Sequence, residues 1–171
     1  MSSSCNPFGK ACEEYSGDSA NEIIARDKKI GKDRKISKDR KLISEYRIVN
    51  KSHHYFVKIK VDDCLIKKES GSRKCDFLFL DCTSNKAFFV ELKGQDLGDA
   101  IEQIKATIPQ LHPQLSQFSY CCRIVQSKVI GATQQNKKVA LIQFLKSSYP
   151  LNSRNTKDLV RIGSQKLIDQ I

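Results

Sequence analysis

The chain has 171 residues and a formal net charge of +11, with 39 % hydrophobic and 29 % charged residues. This length suits one domain with a core of its own and is short for two. No apolar run approaches the roughly 20 residues that cross a membrane, and the N-terminus lacks the basic and then apolar pattern of a secretory signal. We therefore expect an intracellular, cytoplasmic protein without a membrane partner, and so basic a small protein most often binds nucleic acid.

The cysteines favour a reducing compartment. Seven of them lie at positions 5, 12, 64, 75, 82, 121 and 122. An odd number in a chain without a signal argues against a disulfide framework. No Cys-x-x-Cys pair occurs, so we do not expect a structural zinc site. Cys75, Cys82, Cys121 and Cys122 fall in apolar, strand-like runs, where small buried side chains are expected.

The N-terminal third begins with a polar segment. Residues 1–18 contain few large apolar side chains and predict a weakly ordered arm, followed by a single domain over residues 19–171. Within that domain, Ser19-Ala20-Asn21-Glu22 resembles a capping box ahead of Ile23 and Ile24, which predicts the start of a helix.

A basic repeat follows at residues 28–41, which hold eight Lys or Arg against two Asp, a net charge of +6. Such a segment either contacts phosphates or forms a solvated charged helix or linker. In the first case the candidate nucleic-acid-binding residues are Lys32, Arg34, Lys35, Lys38, Arg40 and Lys41.

Residues 42–92 predict a run of strands. Tyr55, Val57, Ile59 and Val61 alternate with their neighbours in the period-2 pattern of a strand. Two further apolar runs, 74–81 and 86–94, flank the turn-like segment 82–85 and predict an antiparallel pair.

After Gly94 the period changes to that of an amphipathic helix, which we expect Pro109 and Pro113 to end. Its apolar stripe consists of Leu97, Ile101, Ile104, Ile108 and Leu111. Further strands are predicted at 120–125, 129–130 and 159–163, a helix at 137–145 and a closing helical turn at 166–171. This order predicts an α/β fold with a mixed sheet flanked by helices.

Acidic residues at the ends of the two apolar runs form the candidate site. Asp76 lies near the start of the first strand, and Glu91 and Lys93 lie near the end of its antiparallel neighbour, so all three belong to one edge of the sheet. Alternate residues of a strand share a face, so Glu91 and Lys93 point the same way. The two carboxylates and the carbonyl of Leu92 offer the oxygen ligands that Mg²⁺ (or Mn²⁺) prefers. Lys93 is suited to orient or deprotonate a metal-bound water, the usual nucleophile of phosphodiester hydrolysis.

An alternative without a metal is open for the same residues. Asp76 caps a turn or pairs with Arg73 or Lys74 in this alternative, and Glu91 and Lys93 form a cross-strand ion pair worth about 0–1 kcal/mol.

Asp76, fourteen intervening residues and Glu91-Leu92-Lys93 resemble the PD-(D/E)XK nuclease superfamily. The resemblance implies a restriction-endonuclease-like αβββαβ core over about residues 19–130, with metal bound by Asp76 and Glu91 and with Lys93 as the catalytic lysine. Gln103, in the following helix, resembles a glutamine that some subfamilies carry there. An acid from the first helix often completes such a site, and Glu22 is the nearest candidate. Cys75 stands where the family has a proline.

These observations predict a metal-dependent nuclease, with DNA as the expected substrate. The alternative is a catalytically inactive nuclease-fold subunit that binds nucleic acid or assembles into a larger complex. A homodimer or partner subunits are compatible with either reading, because the chain has no room for a separate specificity domain. A third reading is a protein-binding module whose basic segment meets an acidic partner.

Overall fold

The computed structural model describes residues 4–27, 44–92, 96–127, 134–152 and 158–171. Within them the chain forms two sheets and two helices, so the predicted α/β class is confirmed. The restriction-endonuclease-like arrangement stays a prediction. The strands are β1 (Glu13–Gly17), β2 (Glu22–Arg26), β3 (Glu45–Val49), β4 (Phe56–Lys60), β5 (Phe77–Asp81), β6 (Lys86–Leu92), β7 (Ser119–Gln126), β8 (Val160–Ser164) and β9 (Lys166–Gln170), and the helices are α1 (Leu97–Leu115) and α2 (Gln135–Ser148).

The larger sheet has six strands in the order β1-β4-β5-β6-β7-β8. Strands β4, β5 and β6 form an antiparallel meander, in which Phe77 pairs with Val90. Strands β7 and β8 add in parallel to β6. The step from β6 to β7 runs through α1, as a parallel connection requires a crossover. Strand β1 forms one edge and pairs with β4.

Both faces of this sheet are covered. On one face, Leu78 and Phe89 pack with Ile104 of α1. On the other, Phe79 and Val90 pack with Tyr46 of the smaller sheet, whose strand order is β2-β3-β9. Strands β5 and β6 are therefore apolar on both sides, as strands covered on both faces usually are.

Helix α1 is longer than we predicted. Pro109 and Pro113 do not end it, and it continues to Leu115. Both prolines are exposed, and the carbonyls four residues earlier lie on the same helical face, where water can hydrate them. The buried side chains Ile108 and Leu111 continue the apolar stripe across the prolines, so packing maintains the helix.

Two helix predictions were wrong, and both segments belong to the smaller sheet. The helix expected from residue 19 is replaced by β2, and the helical turn expected at 166–171 is β9. Alternate residues are buried in each, Ile23 and Ala25 in β2 and Leu167 and Asp169 in β9. Both strands pair with β3, and this tertiary pairing outweighs a local capping pattern, because intrinsic propensity is a weak prior. The helix that should lead the αβββαβ order is therefore absent from the described residues.

The N-terminal segment is tied to the larger sheet. Its strand β1 pairs with β4, and two disulfides, Cys5–Cys82 and Cys12–Cys64, join it to the meander. The expectations of a weakly ordered arm and of no disulfides were wrong, as was the assignment of Cys82 to the buried apolar core. An odd number of cysteines does not exclude disulfides, because four of the seven form two bonds here and three remain as free thiols. The three that remain, buried as expected, are Cys75, Cys121 and Cys122.

The disulfides bear on the compartment, because such bonds persist mainly in oxidising environments. They favour a non-reducing environment, and the cytoplasmic location stays a prediction. Neither of the described helices is long and apolar enough to cross a membrane.

Candidate functional site

Asp76 and Glu91 lie at the same edge of the larger sheet. Asp76 directly precedes β5, and Glu91 is the last residue but one of β6. Phe77 pairs with Val90 in this antiparallel register, so the residue before Phe77 lies opposite the residue after Val90. The two acids therefore occupy neighbouring strand ends, the placement that the sequence predicts.

Backbone contacts hold Asp76 from two sides. Its Oδ2 accepts a 2.7 Å hydrogen bond from the amide of Leu92, next to Glu91. Its carbonyl oxygen accepts from the amides of Val61 at 3.0 Å and Asp62 at 3.4 Å, in the turn after β4. Charge-assisted bonds to a carboxylate are among the stronger hydrogen bonds, so the Leu92 amide gives the Asp76 carboxylate a defined direction.

Glu91 is deeply buried, with 2 % of its surface exposed. The buried thiol of Cys75 shows that both acids are near, because its pKa is raised well above its ordinary value first by burial and further by the charges of Glu91 and Asp76. Burying a carboxylate is costly unless it is hydrogen-bonded, paired with a charge or coordinates a metal, so Glu91 must be held by at least one of these interactions.

Helix α1 docks onto the residue next to Asp76. The amide of Cys75 donates a 2.8 Å hydrogen bond to Oγ1 of Thr107, whose hydroxyl donates at 2.8 Å to the carbonyl of Gln103. Gln103 is half-buried and lies one helical turn before Thr107. Two hydrogen bonds thus connect the backbone of Gln103 to the start of the strand that presents Asp76.

A cleft of about 200 Å³ opens beside Asp76, between the larger and the smaller sheet. Four carboxylates and two cations line it: Glu14, Asp27, Asp62, Asp76, Arg26 and Lys60. Arg26 pairs with Glu45 at 2.7 Å, whereas Lys60 forms no ion pair within the parts of the chain described above. Glu14 pairs with Lys58 at 2.6 Å, and Asp62 lies 3.7 Å from Lys74, so cations beside the cleft offset part of the charge of its carboxylates.

Sequence reasoning missed most of this lining. Glu14 enters the cleft at a β-bulge, where two residues of β1 oppose one of β4, and bulges commonly redirect a side chain. Asp27 comes from the smaller sheet, which we did not predict. Asp62 could have been noticed, because it belongs to an Asp-Asp pair that directly follows a predicted strand.

Asp76 and Glu91 are the two carboxylates predicted to hold Mg²⁺ at this edge. No group of three or more His, Cys, Asp and Glu side chains that could hold a metal ion occurs in the described ranges. Magnesium keeps several waters and is bound by one or two carboxylates. Asp76 and Glu91 supply that number.

Several predicted site residues lie outside the described residues. These are Lys93 and the six basic residues Lys32, Arg34, Lys35, Lys38, Arg40 and Lys41. Asp27 directly precedes the basic segment and lines the cleft, and its amide donates at 3.1 Å to the carbonyl of Ser44, three residues beyond the segment. The described residues nearest to the two ends of the basic segment are therefore hydrogen-bonded to each other beside the cleft.

Glu22 does not join the site. It lies in β2, four residues before Arg26 of the cleft, a separation of about 13 Å along a strand, and it pairs with Arg47 at 2.8 Å. The alternative cationic partners of Asp76 are also engaged elsewhere. Arg73 lies 3.1 Å from Asp99, and Lys74 lies 3.5 Å from Asp63 and 3.7 Å from Asp62.

A buried ion cluster lies between the two sheets. Arg123 of β7, with 3 % of its side chain exposed, donates through Nε to Asp169 of β9. Asp169 also accepts from the hydroxyl of Tyr46 at 2.8 Å and from Arg161. The cluster links four strands, which indicates a structural role.

No family model, curated protein or solved structure matches this chain.

Proposed function

We propose that this chain is a metal-dependent nuclease that hydrolyses phosphodiester bonds, with DNA as its substrate. The observation that carries the proposal is the Asp76 carboxylate, which is hydrogen-bonded to Leu92 at the end of the strand that also bears the buried Glu91. The two acids thus lie at neighbouring strand ends, and Asp76 lines a cleft whose charged residues are mainly carboxylates.

The order of the elements supports the resemblance to PD-(D/E)XK nucleases. Strands β4, β5 and β6 form the meander, α1 follows, and β7 returns parallel to β6. Four strands and one helix of the implied core have counterparts of the expected direction. The leading helix of that core has none in the described residues, where β2 stands instead.

The residues divide the chemistry among them. Asp76, Glu91 and the carbonyl of Leu92 would hold Mg²⁺ or Mn²⁺, which, when bound, acidifies water and stabilises charge on a phosphate oxygen. Lys93 would take a proton from the attacking water or stabilise the developing charge. Gln103, one turn before Thr107, would orient the water or the phosphate from the side of α1.

Charge supports nucleic acid as the substrate. The net charge of +11 and the basic segment 28–41 favour phosphate binding. Asp27, which directly precedes this segment, lines the cleft and is hydrogen-bonded to Ser44, three residues beyond it. Phosphate contacts close to Asp76 and Glu91 would hold a strand there, while a bound metal would offset the charge of these two carboxylates.

Cleavage of plasmid, linear and branched DNA and of RNA, with and without Mg²⁺ or Mn²⁺, tests the proposal. We expect the wild type to cleave only with metal, and Asp76→Asn, Glu91→Gln and Lys93→Ala to lose at least about 100-fold, the scale of removing an acid–base or electrostatic group. Asp63→Asn is the matched control, because it removes one nearby exposed charge and Asn tolerates the left-handed backbone of that position. Equal cleavage rates in the wild type and all variants would refute the proposal that this chain is a nuclease.

Binding measured apart from cleavage separates the alternatives. Lys60→Ala should weaken DNA binding and reduce the slope of log Kd against log salt by about 0.9, the value of one phosphate contact. Lys51→Ala removes the same charge from an exposed turn outside the cleft and should leave the slope unchanged. Salt-sensitive binding without cleavage in any metal would favour the inactive subunit, and capture of an acidic protein that survives nuclease treatment would favour the protein-binding module.

A further inference from the structure

The two disulfides lie near opposite ends of the central strand β5. Cys12–Cys64 lies at the end where Asp76 precedes β5, and Cys5–Cys82 lies at the other end, where Cys82 follows β5. Six residues of extended chain separate Asp76 from Cys82, which is about 20 Å. Only one of the two bonds is therefore next to the candidate site.

The turn that carries Cys64 also holds the backbone of Asp76. The amide of Cys64 donates to the carbonyl of Val61 at 3.3 Å. The amides of Val61 and Asp62, in the same turn, donate to the carbonyl of Asp76. Any movement of this turn is thus transmitted to the backbone of Asp76 through two hydrogen bonds.

The other half of the bond anchors the opposite wall of the cleft. The carbonyl of Cys12 accepts a 2.9 Å hydrogen bond from the amide of Lys60, and Glu14 enters the cleft two residues later. Strand β1 is an edge strand, paired with β4. The disulfide therefore ties the segment that supplies Glu14 to the turn that supplies Asp62.

We propose that the Cys12–Cys64 disulfide sets the geometry of the Asp76 site, so that the protein is active when this bond is oxidised and impaired when a dithiol reduces it. This inference rests on the proposed function and names a regulation of the same site. Cys12 and Cys64 are both partly exposed, so a reductant can reach the bond. Without the bond, β1 and the 61–66 turn open locally more often, because edge strands and exposed turns belong to the least stable parts of a fold.

The reduction is an ordinary thiol–disulfide exchange. A thiolate of the dithiol attacks one sulfur, the S–S bond breaks, and a mixed disulfide forms. The second thiol of the reductant then displaces the protein sulfur. The reductant leaves as a disulfide that has lost two electrons, and Cys12 and Cys64 become thiols.

Hydrogen exchange tests the inference without reference to activity. We compare the oxidised wild type with Cys12→Ser/Cys64→Ser and with the matched pair Cys5→Ser/Cys82→Ser, under conditions where far-UV circular dichroism shows each to be folded. The first pair should raise exchange of the amides of Val61, Asp62 and Leu92 by about tenfold, and the second should leave them within about twofold. Equal exchange of these amides in both pairs would overturn the inference.

Titration with dithiothreitol tests the same point on the unmutated chain, in case a serine pair does not fold. Loss of protection at Val61, Asp62 and Leu92 should follow reduction of Cys12–Cys64, measured by alkylation and mass spectrometry. Protection that survives full reduction of this bond would refute the proposal. If the wild type cleaves DNA, the cleavage rate should fall together with the protection of these amides from exchange. If the wild type does not cleave DNA, the proposed nuclease activity is refuted, while hydrogen exchange still decides whether the disulfide sets the geometry at Asp76.

Discussion

Replacement of Arg123 by methionine is expected to destabilise the fold strongly. Methionine has a similar length but no charge, so Arg123→Met leaves Asp169, with 7 % of its side chain exposed, without the more buried of its two cationic partners. Burial alone would lower the pKa of Arg123, but the charges of its neighbours outweigh burial and raise it, so Arg123 is charged at neutral pH.

The magnitude follows from the burial of both partners. Removing one member of a buried ion pair costs about 3–5 kcal/mol, and Asp169 keeps Arg161 and the Tyr46 hydroxyl as partners, so the loss for Arg123→Met should be about 3 kcal/mol. For a chain of this size one kcal/mol corresponds to a shift in Tm of about 2–4 °C, so Arg123→Met should lower Tm by about 6–12 °C.

Urea unfolding and calorimetry of the single and double variants provide the assay. Arg123→Met/Asp169→Leu should lose less than the sum of the losses of the two single variants, because each single variant already removes the interaction between these two residues. A loss below about 1 kcal/mol for Arg123→Met, the range of an exposed pair, would refute the argument that the cluster holds the two sheets together.

Three further predictions concern thiols, disulfides and pH. In denaturant without a reductant, a thiol assay should count three free thiols per chain, those of Cys75, Cys121 and Cys122. None of the three should react in the folded protein, because burial raises the pKa of each thiol. Seven reactive thiols in denaturant would contradict the two disulfides. Loss of either disulfide should cost about 4 kcal/mol in urea unfolding, since loop-closure entropy depends weakly on separations as similar as 52 and 77 residues; a loss confined to one of them would show that chain entropy does not govern their contribution. Burial raises the pKa of Glu45, but hydrogen bonds from Arg26 and Arg47 outweigh it and lower the pKa overall. The stabilisation that ionised Glu45 contributes to the folded state is therefore present above the unfolded pKa of about 4.3 and is lost as the pH falls through the folded pKa. Glu45→Gln should make the urea midpoint depend less on pH between pH 6 and 3, and an unchanged pH profile would contradict this.

The central elements were predictable because their signals are periodic and long. Alternation in β4, the doubly apolar runs of β5 and β6 and the stripe of α1 each repeat over several residues, and the structure forms all of them. The edge shared by Asp76 and Glu91 followed from strand direction alone.

The errors arose where pairing between distant segments decides the outcome. Residues 22–26 and 166–170 are short and carry weak or misleading local signals, and they become strands because β3 lies between them. The disulfides have the same origin, since Cys12 and Cys64 are 52 residues apart along the chain.

The sequence by itself determined the class of the fold, the central meander with its following helix, and the pair of acids at one sheet edge. Periodicity and strand direction are local properties, so they can be read along the chain. Only the tertiary structure decided that a second sheet covers the first and that Glu14, Asp27 and Asp62 line a cleft beside Asp76. It also decided that the Cys12–Cys64 disulfide joins the segment before Glu14 to the turn that contains Asp62. Those features require residues from separate segments to meet, and contacts of that kind depend on packing that no local pattern encodes.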